Sequence, residues 1–577
     1  MPILPVLRSA WLRRLIVAVA VACNVPVKAV DNIPPGGEVW LQGYDGSPPT
    51  SGFSNAGLLR MGAPDTPQPV SLIVTNGLMT NLPTGTFWVG TGSDLGGDFI
   101  VWSDLLNQGT VRISYSVYFT KPRSAVDNEG MFKVFPGQGA FFYALGQSFN
   151  QNGGTLALEG AAFHMKSGYF RYRGGTITGY PYLVDTTLAF SPTATNAATF
   201  VLSGGNCGLS GDVPAGCVVW LQANGAGGNT RVSTLGFVNH GDLRMDSVQG
   251  PSDAVVVVDE GALVNGPTGL IEANPGSGGV RVIEGLLVND GRLEVRGNLE
   301  LRSPTGPHTN AGAIHVGADA SLRARGGLIQ TTGSVQLAQG TLNAFVLATN
   351  LVVVTNGTVV TTKQEIVTRP GRFGLEGGLL TGSGTVASHL VNAAELRLEA
   401  RAGPMTISGN YTQAAAGLLT LNLEGLTSGS PTPVLTVASN VQLDGRLVVQ
   451  LTNTAGLHRG DSFKLLQAGF LTGAFQSRSL PELPLPLRFE LVSRADGLDL
   501  RIALDYLQTS QPRVLPDGSF GLTASGLPAS KVILDASTKL LDWLPIQTNA
   551  PFPGTLELVD RDAVRFERRF YRAYRVE

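Results

Sequence analysis

Apolar and polar residues alternate with a period of two along most of this chain. In Asn289-Asp290-Gly291-Arg292-Leu293-Glu294-Val295-Arg296-Gly297-Asn298-Leu299-Glu300-Leu301, the side chains of Leu293, Val295, Leu299 and Leu301 alternate with those of Arg292, Glu294, Arg296 and Glu300. That period puts the apolar residues on one face of two short strands and the charges on the other. The opening Asn-x-Gly-x-apolar signature recurs at Asn55, Asn107, Asn152, Asn239 and Asn310, and degenerates to Asn392-Ala393-Ala394-Glu395-Leu396. No such unit buries its apolar face alone. Stacked on copies of itself it does, each rung hydrogen-bonded to the next about 4.8 Å away. The pattern predicts a parallel β-helix. Helical periodicity is almost absent, and stretches that approach it are broken by glycine or β-branched residues.

The first half is duplicated. Ile33-Pro34-Pro35-Gly36-Gly37-Glu38-Val39-Trp40-Leu41-Gln42 matches Val213-Pro214-Ala215-Gly216-Cys217-Val218-Val219-Trp220-Leu221-Gln222, and Pro83-Thr84-Gly85 matches Pro267-Thr268-Gly269. Arg171-Tyr172-Arg173-Gly174-Gly175 matches Arg323-Ala324-Arg325-Gly326-Gly327. Copying a multi-rung block lengthens a solenoid, so Trp40 and Trp220 are expected on the same side in equivalent environments. The offset between the copies is 182 residues at Ile113 and Val295 but 151 at His164 and His315, so the first copy carries about 31 extra residues. This insert holds Tyr115, Tyr118, Phe119, Phe132, Phe135, Phe141, Phe142, Tyr143 and Phe149. It is either an extra rung or a loop leaving the helix.

Composition agrees with a turn-rich all-β protein. Glycine accounts for 74 of 577 residues, nearly double the usual share of about 7%. Charged residues make up 15%, against about 25% in an average soluble domain. The net charge of −2 attracts no nucleic acid by bulk electrostatics. At the N-terminus Arg8, Arg13 and Arg14 precede the apolar run Leu15 to Ala22, and Val27-Lys28-Ala29 offers a small-residue cleavage site. This reads as a signal peptide, with lipoprotein processing at Cys23 as the second reading. No later stretch is expected to cross a membrane as a helix, so the mature chain is expected outside the cytoplasm without an anchor of its own. Cleavage leaves Cys207 and Cys217, ten residues apart, which in an oxidising compartment are expected to form a disulfide.

Chemistry is sparse. Glycoside hydrolysis needs two carboxylates across the scissile bond. The densest acidic group is Asp242, Asp246, Asp253, Asp259 and Glu260, and no spacing singles out a pair. The six histidines are isolated. Gly90-Thr91-Gly92-Ser93-Asp94-Leu95 partly matches a calcium-binding β-roll nonapeptide, but as a single copy where tandem copies are needed. No catalytic residue, metal site or cofactor is assigned.

From Gly409 a more specific pattern begins. Gly409-Asn410-Tyr411-Thr412-Gln413 is followed by Gly417-Leu418-Leu419-Thr420-Leu421-Asn422-Leu423, Leu435-Thr436-Val437, Val441-Gln442-Leu443-Asp444-Gly445-Arg446-Leu447, Gly460-Asp461-Ser462-Phe463-Lys464-Leu465-Leu466 and Asp496-Gly497-Leu498-Asp499-Leu500. This resembles the C-terminal part of autotransporter passenger β-helices and related filamentous haemagglutinin-like adhesins. It departs from them at Pro433, where an Asp is usual before Leu-x-Val, and no outer-membrane barrel is expected to follow. Leu534-Asp535-Ala536-Ser537-Thr538, Asp542-Trp543 and Arg569-Phe570-Tyr571-Arg572-Ala573 resemble a terminal module of secreted bacterial repeat proteins.

The expected organisation is thus all-β, a long right-handed parallel β-helix followed by a small β-sandwich. Residues 1–29 are the signal peptide, 30–200 the first copy with its insert, 201–400 the second copy and further rungs, and 401–504 the passenger-like rungs. Residues 505–577 are the sandwich, entered through a polar linker at Gln508–Pro512. Its arginines 561, 565, 568, 569, 572 and 575 form either a balanced solvated face or a docking patch. The resemblance implies a secreted, non-catalytic surface or adhesin-like protein that takes extracellular polysaccharide or cell-surface components as partners. A polysaccharide-active enzyme on the same helix and a purely structural fibre component are the alternatives. The candidate binding strip is Tyr169, Arg171 and Arg173. The strand period puts these three on one face and Phe170 and Tyr172 on the other; in the second copy Leu322 and Ala324 fit the interior, which makes the arginine face the outer one, and an aromatic ring beside guanidinium groups suits an acidic sugar.

Overall fold

The computed structural model describes residues 31–41, 51–62, 70–90, 99–224, 228–248, 250–338, 341–348, 351–360, 372–375, 377, 379–387, 389–483, 487–504, 508–525, 531–549 and 555–576. The expected signal peptide with Cys23, and all but Gly90 of the nonapeptide-like run, lie outside them. The chain is all-β and divides into two compact units, one of residues 1–353 with 357–371, the other of 354–356 with 372–577.

Unit 1 is a parallel β-helix. One column of strands stacks Glu38–Leu41, Leu58–Met61, Thr86–Val89, Thr110–Ile113 and Met131–Val134 in register. A second runs from the first half of Val70–Asn81 through Phe99–Asn107, Val117–Phe119, Gly139–Phe142, Ala162–Lys166, Tyr182–Val184 and Thr199–Ser203 to Val218–Ala223. A third includes Ala125–Asn128, Ser148–Ala157, Tyr169–Thr178, Thr187–Phe190 and Cys207–Ser210. The period of two explains the filling. Leu59, Phe87, Val111 and Phe132 are fully buried at matching positions of the first column, each contributing about 2 kcal/mol by burial. Phe119 stacks on Phe142 with ring centroids 4.4 Å apart, and Phe149 on Phe170 at 5.4 Å.

The Asn-x-Gly signature is the corner of each rung. Asn55 donates to Asn81, Asn81 to Asn107, Asn107 to Asn128 and Asn128 to Gln151, at 2.7–2.9 Å, all buried. The second copy repeats the ladder through Asn239, Asn265, Asn289, Asn310 and Gln330. At the signature beginning at Asn152 the ladder residue is therefore Gln151, while Asn152 turns outward. The glycine is needed because rungs close up there. A Cβ on Gly291 would lie 2.3 and 2.4 Å from the carbonyl oxygens of Gly266 and Gly269.

The insert is an extra rung within the helix, since each of its strands pairs in parallel with its neighbours. Successive ladder residues are 21–26 apart, so 31 residues amount to about one and a third rungs. The fraction has a consequence. Beyond the insert, His164 and His315 share a column, linked through Tyr182, Val201, Trp220, Arg244, Glu272 and Glu294. Ahead of it the copies are out of phase. Trp40 lies in the first column and Trp220 in the second, so their expected equivalence is corrected.

Cys207 and Cys217 are free and buried. The structure draws no bond between them: Cys207 lies on a strand paired to Val232, and Cys217 closes a corner ten residues on. Each thiol donates to a backbone carbonyl instead, Cys207 to Ser203 at 3.1 Å and Cys217 to Asn196 at 3.4 Å. Burial pushes both up to about 11, so neither forms the reactive thiolate near neutrality. Thiol titration is expected to find both unreactive in the folded protein and both reactive after denaturation without reductant. A denatured chain yielding neither would restore the disulfide.

In unit 2, Arg372–Leu375, His389–Asn392, Tyr411–Gln413, Asn440–Leu443 and Phe470–Gly473 stack in parallel, and Asn392 donates to Gln413 at 2.9 Å as in unit 1. The expected rungs do not all continue in parallel to residue 504. Leu487–Arg494 and Gly497–Leu504 form an antiparallel hairpin across Ala495-Asp496, and its second strand pairs antiparallel with Ser462–Gln467. A hairpin laid on a sheet edge satisfies backbone groups that would otherwise template further strands. The sandwich follows as two three-stranded antiparallel sheets, Gln508–Val514, Phe520–Ser525 and Thr555–Asp560 facing Lys531–Ser537, Leu544–Thr548 and Phe570–Val576. Leu522, Ala524, Val532, Leu534 and Leu558 fill the space between them. The expected linker at Gln508–Pro512 is a strand. It is an edge strand, polar and carrying Pro512 at a register shift, where proline costs no ladder bond.

Candidate functional site

The third column of unit 1 presents the candidate strip. Along Tyr169–Thr178, Phe170 and Tyr172 are fully buried, while Tyr169 is 44% exposed, Arg171 half-buried and Arg173 exposed. The Arg171 guanidinium lies 5.0 Å from the Tyr169 ring centroid. Arg171 donates to Asn150 Oδ1 at 3.2 Å and Arg173 to Asn152 Oδ1 at 2.9 Å. Both amides donate in turn to Asp127 Oδ1, at 2.8 and 3.2 Å. Neither arginine has an ion pair among the described residues. The nearest charge in this network, Asp127, is one amide away.

The second copy handles the same arginines differently. Arg323 and Arg325 both meet Glu300, at 3.4 and 3.5 Å, and Glu300 also binds Arg302. Burial raises the Glu300 carboxyl, but the hydrogen bond from Arg302 and the charges of Arg302, Arg325 and Arg323 outweigh it and hold it below the usual range. Each of these guanidiniums thus has an ion-pair partner, which Arg171 and Arg173 do not have among the described residues.

On the second column the insert builds an outer aromatic row, distinct from the interior stack of phenylalanines. Tyr118, Phe141, His164 and Tyr182 are direct partners on successive strands, with ring centroids 5.1, 5.6 and 5.2 Å apart. Tyr143 flanks the row at 39% exposed; burial, then the neighbouring Tyr118, push it up to about 12. Burial lowers the His164 imidazole, which is held between rings rather than aimed at a ligand. Further along the same column, Glu272 and Glu294 point outward yet are only 8% and 3% exposed. Arg244 and Arg296 cover the first, Arg292, Arg296 and His315 the second. The alternation predicted their face; the pairing across rungs needed the register.

The acidic group considered for catalysis serves the framework. Asp242 pairs with Arg244 at 2.9 Å, Asp246 accepts from the Trp220 indole at 2.6 Å, and Asp253 accepts from the Val280 N–H at 2.7 Å. Asp259 and Glu260 are exposed at the register shift of Ala254–Asn265. Among the described residues no three His, Cys, Asp or Glu side chains come together as metal ligands would. A hollow of about 420 Å³ in unit 2, lined by Leu443, Phe475, Arg478 and Leu491 among others, contains no carboxylate, imidazole or thiol. In the sandwich, Arg569 pairs with Asp560, Arg565 with Asp562 and Arg572 with Asp535, which favours the balanced face over a docking patch. No protein-family model and no curated protein matches the chain.

Proposed function

We propose that this is an exported, non-catalytic surface protein of the autotransporter-passenger and filamentous haemagglutinin-like kind, whose β-helix holds acidic extracellular polysaccharide. The observation that carries the reading is the Tyr169–Arg171–Arg173 strip. Its cations face amide oxygens where the duplicated copy supplies a carboxylate, so an incoming carboxylate or sulfate meets guanidinium donors without displacing an ion-pair partner. The Tyr169 ring beside them offers an apolar face to a sugar. The triple variant Tyr169→Ala, Arg171→Ser, Arg173→Ser removes only outward-facing side chains and leaves the interior Phe170 and Tyr172 in place, so Tm is expected to stay within about 2 °C. Affinity for an acidic polysaccharide is expected to fall at least about tenfold, with the wild-type affinity itself weakening as salt is raised. Binding by the folded variant equal to wild type would remove the strip from the proposal.

A further inference from the structure

We infer that the first column of unit 1 carries a second track for acidic polysaccharide, running along the helix axis over Trp40, Arg60, Trp88, Arg112 and Lys133. The inference rests on the reading that the protein holds such a polymer, and adds where the polymer lies. These five residues are direct partners on five successive strands. All point outward, since their neighbours Leu59, Phe87, Val111 and Phe132 fill the interior. The row alternates ring and cation from Trp40 to Arg112, and Phe135 lies beside Arg112 and Lys133. The Arg60 guanidinium lies 5.4 Å from the Trp40 ring and 4.4 Å from that of Trp88. Arg112 lies 5.7 Å from Trp88 and 5.4 Å from Phe135, and the Lys133 ammonium 4.8 Å from Phe135.

A stack of this kind could serve packing alone, and the duplication argues against that. Trp40 and Arg60 correspond to Trp220 and Arg244, but Trp88 and Arg112 correspond to Glu272 and Glu294. The second copy thus closes the row that corresponds in sequence, on the second column, with buried carboxylates under arginines, which packs the outer face without leaving net positive charge. In the first copy, among the described residues, the row has three cations and one carboxylate partner, Glu38 on Arg60 at 3.5 Å. Arg112 and Lys133 form no ion pair among the described residues. The surplus selects a polyanion, and the indole and phenyl rims between the cations select sugar rings over a bare chain of charges. Cations two rungs apart, Arg60 and Arg112, are separated by about 10 Å along the axis. That spacing fits an extended polymer with an acidic group on every second sugar.

The test is titration calorimetry of the full chain with uronate-containing oligosaccharides in which acidic and neutral sugars alternate, with neutral oligosaccharides of equal length as control. Wild type, the variant Arg112→Gln/Lys133→Gln, the Tyr169/Arg171/Arg173 variant and their combination are compared. The Arg112→Gln/Lys133→Gln variant is expected to weaken one of two binding events for the acidic oligosaccharide about tenfold and to leave the other unchanged, the Tyr169/Arg171/Arg173 variant to do the converse, and the combination to weaken both, as separate sites do. Because Arg112 also packs on Trp88, Lys133→Gln alone is measured beside it, with an expected loss of about threefold at unchanged Tm. If Lys133→Gln and the double variant bind like wild type while the Tyr169/Arg171/Arg173 variant does not, the second track is overturned and the functional reading stands. If wild type binds none of the acidic oligosaccharides, the functional reading falls and this inference with it.

Discussion

Replacing Asn265 by leucine is expected to destabilise unit 1 by about 4 kcal/mol, and to do so without touching any exposed surface. The side chain is fully buried in the corner ladder. Its Nδ2 group donates to Asn289 Oδ1 at 2.7 Å, to the Gly269 carbonyl at 3.2 Å and to that of Arg292 at 3.1 Å, while its own oxygen accepts from Asn239 at 2.8 Å. Leucine matches the branching and the number of side-chain heavy atoms but offers no donor or acceptor. Asn239 loses an acceptor and Asn289 a donor in a place water does not reach, and each orphaned group costs about 1–3 kcal/mol. The control is Asn152→Leu, taken from the same signature but outward-facing and bonded only to Asp127 and Arg173. It is expected to cost less than about 1 kcal/mol. Chemical denaturation of both variants decides it; equal losses would mean the ladder contributes nothing beyond packing.

That contrast marks what the residues disclosed in advance. The corner was legible because Asn-x-Gly is local. The glycine is demanded by carbonyls of the previous rung, and the asparagine by a repeat of itself. The face of Tyr169, Arg171 and Arg173 was legible for the same reason, as Phe170 and Tyr172 can only be inside. Quantities that depend on how many residues make a rung were not legible. The same ladder spans 26 residues between Asn81 and Asn107 and 21 between Asn107 and Asn128, so an insert of about 31 residues could not be converted into turns beforehand. The phase slip between Trp40 and Trp220 follows from that conversion alone.

Partners across rungs were hidden for a related reason. Nothing local distinguishes Arg171, which meets an asparagine, from Arg323, which meets Glu300; the difference lies 21 and 23 residues upstream, on strands whose register only the fold supplies. The cysteines show the opposite error. Their ten-residue separation suggested closeness, whereas the chain between them runs from a strand to the next corner of a rung. At Gln508–Pro512 polarity was taken for a linker, although an edge strand of a small sandwich has little to bury and is polar for that reason.

Lowering the pH from 7 to 4 is expected to weaken the rung around His308 by about 3 kcal/mol through this one residue. His308 is fully buried on the strand His308–Asn310. Its Nδ1 accepts from the Leu287 N–H at 3.1 Å, and its Nε2 has no hydrogen-bond partner. A proton on Nδ1 would break that bond, and burial disfavours the charge by more than the backbone of Arg325 and Leu301 favours it. Burial accordingly pushes the imidazole down to about 4, whereas in the unfolded chain it titrates near 6.5. Between those values the unfolded state binds the proton and the folded state does not. The contribution is therefore fully present above about pH 6.5 and is lost progressively as the pH falls towards 4. His164, also lowered by burial, acts in the same direction, and Glu300, held below the usual carboxylate range, adds its loss as the pH falls through its own lower titration. The comparison with His308→Gln isolates the one residue, because glutamine can still accept from Leu287 but cannot titrate. Hydrogen exchange of the Leu287 amide, corrected for its intrinsic pH dependence, is expected to show the opening free energy of wild type falling across this range by about 3 kcal/mol more than that of the variant. Parallel pH profiles for the two proteins would show that His308 keeps an ordinary titration in the fold.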